Sequence, residues 1–268
     1  TNPLFLRLGN PGLRFSSIHR LGYALNFYYQ QSKISINSSG SFNLTLNNIS
    51  TSTIYDKSSG VQISMPVNLN GARNGFARIY FSKQMKIFGK NDSWYLTSSF
   101  NFNRTLSLLD YQQNINEMLN QSYGTGLRIE WGEVLELGSG ATASFQNIHY
   151  SLNPGQDYKT VSYGIDATAR ITLSKFTELL IAWNQSRNTG STPGFNRQIN
   201  MVNLELSEYL DKKKNFWLKF KVYDLLKQNI SVYRYSGENF IEDLQTKTIS
   251  RYFLLSLNMK FNKFKNHQ

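Results

Sequence analysis

From Val161 to Leu173 the chain alternates without a break. Val161, Tyr163, Ile165, Ala167, Ala169, Ile171 and Leu173 form one set; Ser162, Gly164, Asp166, Thr168, Arg170 and Thr172 form the other. A two-residue period puts every apolar side chain on one face of an extended strand, and no helical register reproduces it. That single stretch commits this part of the chain to a β-sheet.

The pattern recurs along the sequence. Leu21, Tyr23, Leu25, Phe27 and Tyr29 alternate with Gly22, Ala24, Asn26 and Tyr28, and Val61 to Leu69 behaves likewise. Phe216, Leu218, Phe220 and Val222 oppose Lys219 and Lys221; Phe253, Leu255, Leu257, Met259 and Phe261 oppose Ser256, Asn258 and Lys260. With the shorter runs this predicts about 11 strands. Val61–Lys86 reads as one long strand, because Leu69, Ala77, Ile79 and Phe81 keep the same parity. Asn70–Gly75 (NGARNG) reads alternatively as a hairpin turn, which raises the count to about 12.

Strand length separates two homes for such a sheet. Soluble strands average ~5–6 residues, whereas a tilted membrane-crossing strand needs ~9–11. Several runs here exceed ten. In a soluble sandwich the apolar face is the core; in a transmembrane barrel it meets lipid and the polar face lines the lumen. The links favour the barrel. Those near Lys86–Ser93, Gly132–Glu136, Ser174–Thr177 and Leu210–Asn215 are short, and they take turns with longer ones near Leu108–Ser122, Ser151–Asp157, Arg187–Asn196 and Asp224–Lys247. Outer-membrane barrels alternate short periplasmic turns with long external loops in this way. Trp94, Trp131 and Trp217 flank the short links, where an interfacial aromatic girdle stands.

Composition agrees with a lipid-facing wall. Charged residues make up only 17% and aromatics 14% of the chain, and mean hydropathy is −0.42. No apolar run is long enough for a membrane helix, but averaged hydropathy does not see an alternating barrel strand. The absence of cysteine excludes disulfides and thiolate metal sites. The net charge of +12 is spread along the chain rather than gathered in a patch, and Lys212, Lys213 and Lys214 read as a solvated turn. Nucleic acid is therefore not an expected partner.

Catalytic chemistry finds little support. Histidines stand only at 19, 149 and 267, and no G-x-S-x-G or H-E-x-x-H motif occurs. Asp56, Asp110, Asp157, Glu238, Glu242 and Asp243 fall in expected loops, where solvation is the ordinary state. No enzyme, cofactor or metal is expected. The functional surface is the polar face: by parity Arg20, Arg128, Glu130, Asp166, Arg170, Glu205, Lys219, Lys221 and Lys260 are lumen candidates. Val161, Tyr163, Ile165, Ile171, Leu173, Phe253, Leu255, Leu257 and Phe261 are lipid-facing candidates.

Two regions carry a resemblance. Leu8–Leu13 (LGNPGL) resembles the G-N-P-x-L segment before a mid-barrel strand of TonB-dependent outer-membrane receptors. Lys221–Asn229 (KVYDLLKQN), Glu238–Asp243 (ENFIED), Arg251–Leu257 (RYFLLSL) and the tail Lys260–Phe264 (KFNKF) resemble the C-terminal pattern of Bacteroidota outer-membrane barrels of the TonB-dependent-receptor-like type. The resemblance implies the C-terminal half of a barrel of ~22 strands, with the plug and early strands elsewhere. It implies outer-membrane lipid and lipopolysaccharide as surroundings, and a plug domain, TonB and a surface lipoprotein as partners. A chain that starts at Thr1, without a leader, and holds an odd number of strands suits a piece of a longer protein. Gly12 and Arg14–Ser17 depart from the Lys-Pro-Glu-like run usual after Asn-Pro, so the resemblance names no cargo. The alternatives are a non-transporting barrel subunit of a secretion or assembly machine and a β-rich surface adhesin.

Overall fold

The computed structural model describes residues 4–88, 91–190, 196–236 and 241–261. Sixteen strands form: β1 Phe5–Arg7, β2 Ser17–Tyr29, β3 Ile34–Leu46, β4 Asn48–Tyr55, β5 Gln62–Leu69, β6 Ala72–Met85, β7 Asp92–Leu109 and β8 Gln112–Trp131, then β9 Leu135–Tyr150, β10 Tyr158–Thr172, β11 Thr177–Thr189, β12 Gln198–Tyr209, β13 Phe216–Tyr223, β14 Ile230–Ser236, β15 Ile241–Lys247 and β16 Tyr252–Met259. Fourteen belong to one sheet, while β14 and β15 pair only with each other. The fold is all-β, and no α-helix occurs among the described residues; a 3-10 turn at Pro154–Gln156 is the one helical element there.

Eleven of these strands make a wall. β2, β3, β6, β7, β8, β9, β10, β11, β12, β13 and β16 lie side by side in chain order, each antiparallel to the next. Short turns join them at one end, at 30–33, 132–134, 173–176 and 210–215, and β6 passes to β7 at that same end. Lys33 (φ 51) and Lys214 (φ 54) take the left-handed conformation there that closes a tight reversal.

The sheet is all-β and mostly antiparallel, as expected, and it is not closed into a barrel. β2 pairs only with β3 and β16 only with β13, so the wall is open, with a free edge on each side. It is also not wholly antiparallel, because β1 runs parallel to β5 and β4 parallel to β7.

Those parallel pairs come from a hairpin that turns over. β3 continues past Asn47 (φ 49) into β4, and β5 continues through Gly71 (φ 108) into β6. Below the break the order is β3, β6, β7; above it the order is β5, β4, β7, with Ser52 opposite Leu108. The two connections therefore cross. Asn47 N–H donates to Asn70 Oδ1 at 2.7 Å, and Asn68 Nδ2 donates to Asn47 O at 2.8 Å, so two amide side chains pin the crossing. β5 and β6 are consecutive pieces of one strand path and not partners, so Asn70–Gly75 is not a hairpin turn: the path breaks at Asn70–Gly71 and Ala72 already belongs to β6. Val61–Lys86 is therefore neither one unbroken strand nor a hairpin but two strands with different partners, joined at a kink where Gly71 takes a positive φ.

Other expected loops are sheet. Leu108–Ser122 is not a loop: β7 and β8 run to a two-residue turn at Asp110 (φ 46) and Tyr111 (φ 67). Two successive positive φ angles are the signature of the primed turn that matches strand twist. Asp224–Lys247 contains the β14–β15 hairpin, so Glu242 and Asp243 lie on a strand. Glu238 and His267 lie outside the described residues, as do residues 238–240 and 262–264 of the motifs above.

There is almost no core. Among the described residues only Ala72, Leu106, Ile148, Tyr150 and Val222 are buried apolar side chains. Leu21 is 77% exposed and Leu255 and Leu257 are each 69% exposed. Water-soluble domains bury their apolar faces against a second layer; none covers either face of this wall among the described residues.

Candidate functional site: the two faces of the wall

Directly opposed residues in an antiparallel ladder share a face, so the registers map the whole wall. Asp166 stands opposite Gly140, Gly140 opposite Gly126, Gly126 opposite Tyr95, and Tyr95 opposite Ser82. Carried from β2 to β16, this parity groups Arg20, Arg128, Glu130, Asp166, Arg170, Glu205, Lys219 and Lys221 on one face. Lys260 follows β16 with the same parity. Val161, Tyr163, Ile165, Ile171, Phe253, Leu255 and Leu257 share the opposite face, and Leu173 and Phe261 continue that parity just past their strands.

The three tryptophans expected to form the girdle do not make one set. Trp94 is opposite Leu127 and Trp131 opposite Leu135, both on the apolar face. Trp217 is opposite Tyr209 and Asn258, beside Lys219, on the polar face. The expected three-membered girdle therefore loses Trp217.

Charges on the polar face gather toward the short turns. Glu205 is bridged by Lys219 and by Lys221, the latter at 2.7 Å. A carboxylate between two ammonium groups keeps a local excess of positive charge while holding both side chains. Arg170, Glu178, Tyr209 and Trp217 close a depression of about 180 Å³ around this group. Arg128 contacts Glu130 at 3.2 Å and Glu136 at 3.1 Å. Arg20 stands apart on β2, where its Nε donates to Asn43 Oδ1 at 2.8 Å and Asn43 Nδ2 donates to Asn74 Oδ1 at 2.6 Å. The nine polar candidates therefore form two ion clusters and scattered single residues, not one catalytic centre.

Farther from the short turns the polar face is mostly uncharged, with Arg20 on β2 and Arg78 opposite Ser99 on β6 as exceptions. Ser99, Asn101, Asn120, Ser122, Ser144, Gln146, Thr160 and Ser162 line a shallow depression of about 330 Å³. Between this depression and the short turns glycines thin the wall: a β-carbon on Gly140 would stand 2.5 Å from Asp166 Oδ1, and one on Gly126 would stand 2.4 Å from the Tyr95 ring. Side chains of neighbouring strands lie flat across these glycines, which leaves room in front of them.

The apolar face has sharp limits. On β7 it begins at Trp94 and ends at Arg104, with Leu96, Ser98, Phe100 and Phe102 between. On β6 it runs from Arg73 to Lys83 through Gly75, Ala77, Ile79 and Phe81. The upper limit, on the long-link side, continues through the polar residues Glu117, His149, Lys159 and Arg187. Sequence reading missed this line. It was signalled by the first charged residue at an apolar-parity position beyond each run, such as Arg73 before Gly75.

Outside the wall the loop carboxylates are held by local hydrogen bonds. The hydroxyls of Ser58 and Ser59 lower Asp56 to about 2. His149 Nδ1, at 2.6 Å, and the Tyr150 N–H lower Asp157. Among the described residues no group of three or more His, Asp or Glu side chains is placed to hold a metal ion. No family model matches the chain, and neither a curated protein nor a solved structure matches it.

Proposed function

We propose that the chain is part of the wall of an outer-membrane β-barrel, with the apolar face in lipid and the charged and amide-rich face toward the lumen. The observation that carries this reading is the height of the uncharged band. Ten residues separate Trp94 from Arg104 and Arg73 from Lys83. At ~3.3 Å per residue and a tilt of ~45° that is about 23 Å, close to the ~25 Å apolar belt of such barrels. A soluble single-layer sheet has no reason to limit its apolar face at that height on successive strands.

Strand direction supports a larger barrel. β2 and β16 run the same way, because an odd number of antiparallel strands lies between their outer edges. Pairing them with each other, or with a second copy in the same orientation, would make a parallel seam. Antiparallel closure takes an odd number of further strands, as a barrel of ~22 strands would supply. In this reading the chain is the C-terminal half of a TonB-dependent-receptor-like barrel in the bacterial outer membrane. It forms the wall of a substrate-uptake pore or of an outer-membrane complex, with plug, TonB and lipoprotein as partners of the whole protein.

Extraction tests this. The full-length protein should require detergent to stay monodisperse, and a chain monodisperse in buffer alone would overturn the reading.

A further inference from the structure

The upper limit of the apolar face differs from the lower one in charge. Arg73, Arg104, Lys159 and Arg187 stand along the upper limit against Glu117 on the strands, whereas Lys83 stands with Asp92 and Glu208 along the lower one. A border that only marks water has no reason to carry a net positive charge at one end and not at the other.

The centre of the upper line is a pair of arginines. Arg73 and Arg104 are directly opposite in the β6–β7 ladder. Like charges so placed repel and destabilise a sheet. Glu117 offsets this only in part, at 3.5 Å from Arg104, and Arg104 Nε is buried without a hydrogen-bond partner. The Arg73 guanidinium lies over the Phe102 ring, 5.7 Å from its centroid, so it leans toward the apolar band. Two planar donors at the edge of an apolar surface, with one carboxylate on the far side of Arg104 and none between them, lack an anion.

We propose that Arg73 and Arg104 bind the phosphate of an anionic lipid in the leaflet on the long-link side, with its acyl chains on the apolar face below. Guanidinium groups bind phosphate oxygens bidentately, and a phosphate held there removes the repulsion between the two strands. Lys159 and Arg187, both exposed, extend the line for further phosphates of the same leaflet. The site rests on the membrane reading and adds to it a ligand and a leaflet.

Native mass spectrometry of the full-length protein in detergent tests the site, with bisphosphorylated lipid A and the same lipid stripped of phosphate as probes. The phosphorylated lipid should be retained at least about tenfold better, the preference should vanish in R73Q/R104Q, and K83Q should keep it. Inorganic phosphate at equal concentration should not displace the lipid; displacement would mean a free-anion site and overturn the lipid assignment. Equal retention of both lipids by a protein that needs detergent overturns the site alone. A protein monodisperse in buffer overturns the membrane reading together with the site. Should R73Q/R104Q fail to fold, the comparison between the two lipids on the unaltered protein decides.

Discussion

The ring of Tyr95 lies across Gly126 so closely that a β-carbon on that glycine would meet Cε1 at 2.4 Å. The two residues are directly opposite on the polar face of β7 and β8. Aromatic side chains laid over glycines secure register between long strands, because no other residue leaves the ring room. Gly126→Val should cost roughly 1–3 kcal/mol through displacement of the ring. Urea unfolding of the detergent-folded protein measures it, and Tyr95→Ala should relieve most of the loss. A full penalty in the Tyr95→Ala background would mean the backbone, not the ring, is the obstacle.

Ile165 and Leu255 stand on the apolar face at 47% and 69% exposure. Ile165→Asp and Leu255→Asp should each reduce membrane assembly, since a charge on a lipid face costs up to about 2–4 kcal/mol near mid-membrane and less for acids. Ser162→Asp, on the other face of the same strand, should assemble normally. Cell fractionation compares the three. Normal assembly of both apolar-face variants would show the faces to be reversed.

Asn68 and Asn70 hold the Asn47 backbone where the overturned hairpin crosses. Each hydrogen bond of this kind contributes about 0.5–1.5 kcal/mol. Asn70→Ala should therefore speed amide exchange in β4 and β5 while β8 to β12 stay protected. Uniform deprotection of the wall would mean the hairpin is part of one cooperative unit.

How much of this was legible follows from where water reaches. Strands crossing the apolar band announced themselves, because one face of β10 is apolar and the other polar along Val161–Thr172. The upper parts of β7 and β8 did not: Gln112, Gln113 and Asn114 precede any apolar alternation, since a sheet projecting beyond the band needs no apolar face. The β4–β5 crossing was hidden for another reason. It depends on which strand reaches β7, a tertiary choice that Asn70–Gly71 permits without encoding. Parity alone placed the polar candidates together but gave no sign that Glu205 bridges two lysines on the next strand. The face of Trp217 was readable, since Phe216 and Leu218 bracket it with opposite parity.

Asp56 sits in the β4–β5 turn, with its carboxyl lowered from 3.8 to about 2 by Ser58 and Ser59. A depressed folded value stabilises the turn above the unfolded value and loses that contribution as pH falls from about 4 through about 2. Amide exchange at Ser58 and Gly60 should accelerate in that window, and Asp56→Asn should remove the pH dependence. Acceleration already complete by pH 4 would contradict the hydrogen-bonded carboxylate.

The wall contains no cysteine, so single cysteines can report each position of β7 in turn. Reporters at 96, 100 and 102 should be quenched by a lipid-phase quencher and shielded from a membrane-impermeant thiol reagent. Reporters at 97, 99 and 101 should react with the aqueous reagent, and the alternation should stop at Trp94 and Arg104. Uniform aqueous labelling from 94 to 104, with no two-residue period, would contradict a membrane-spanning wall.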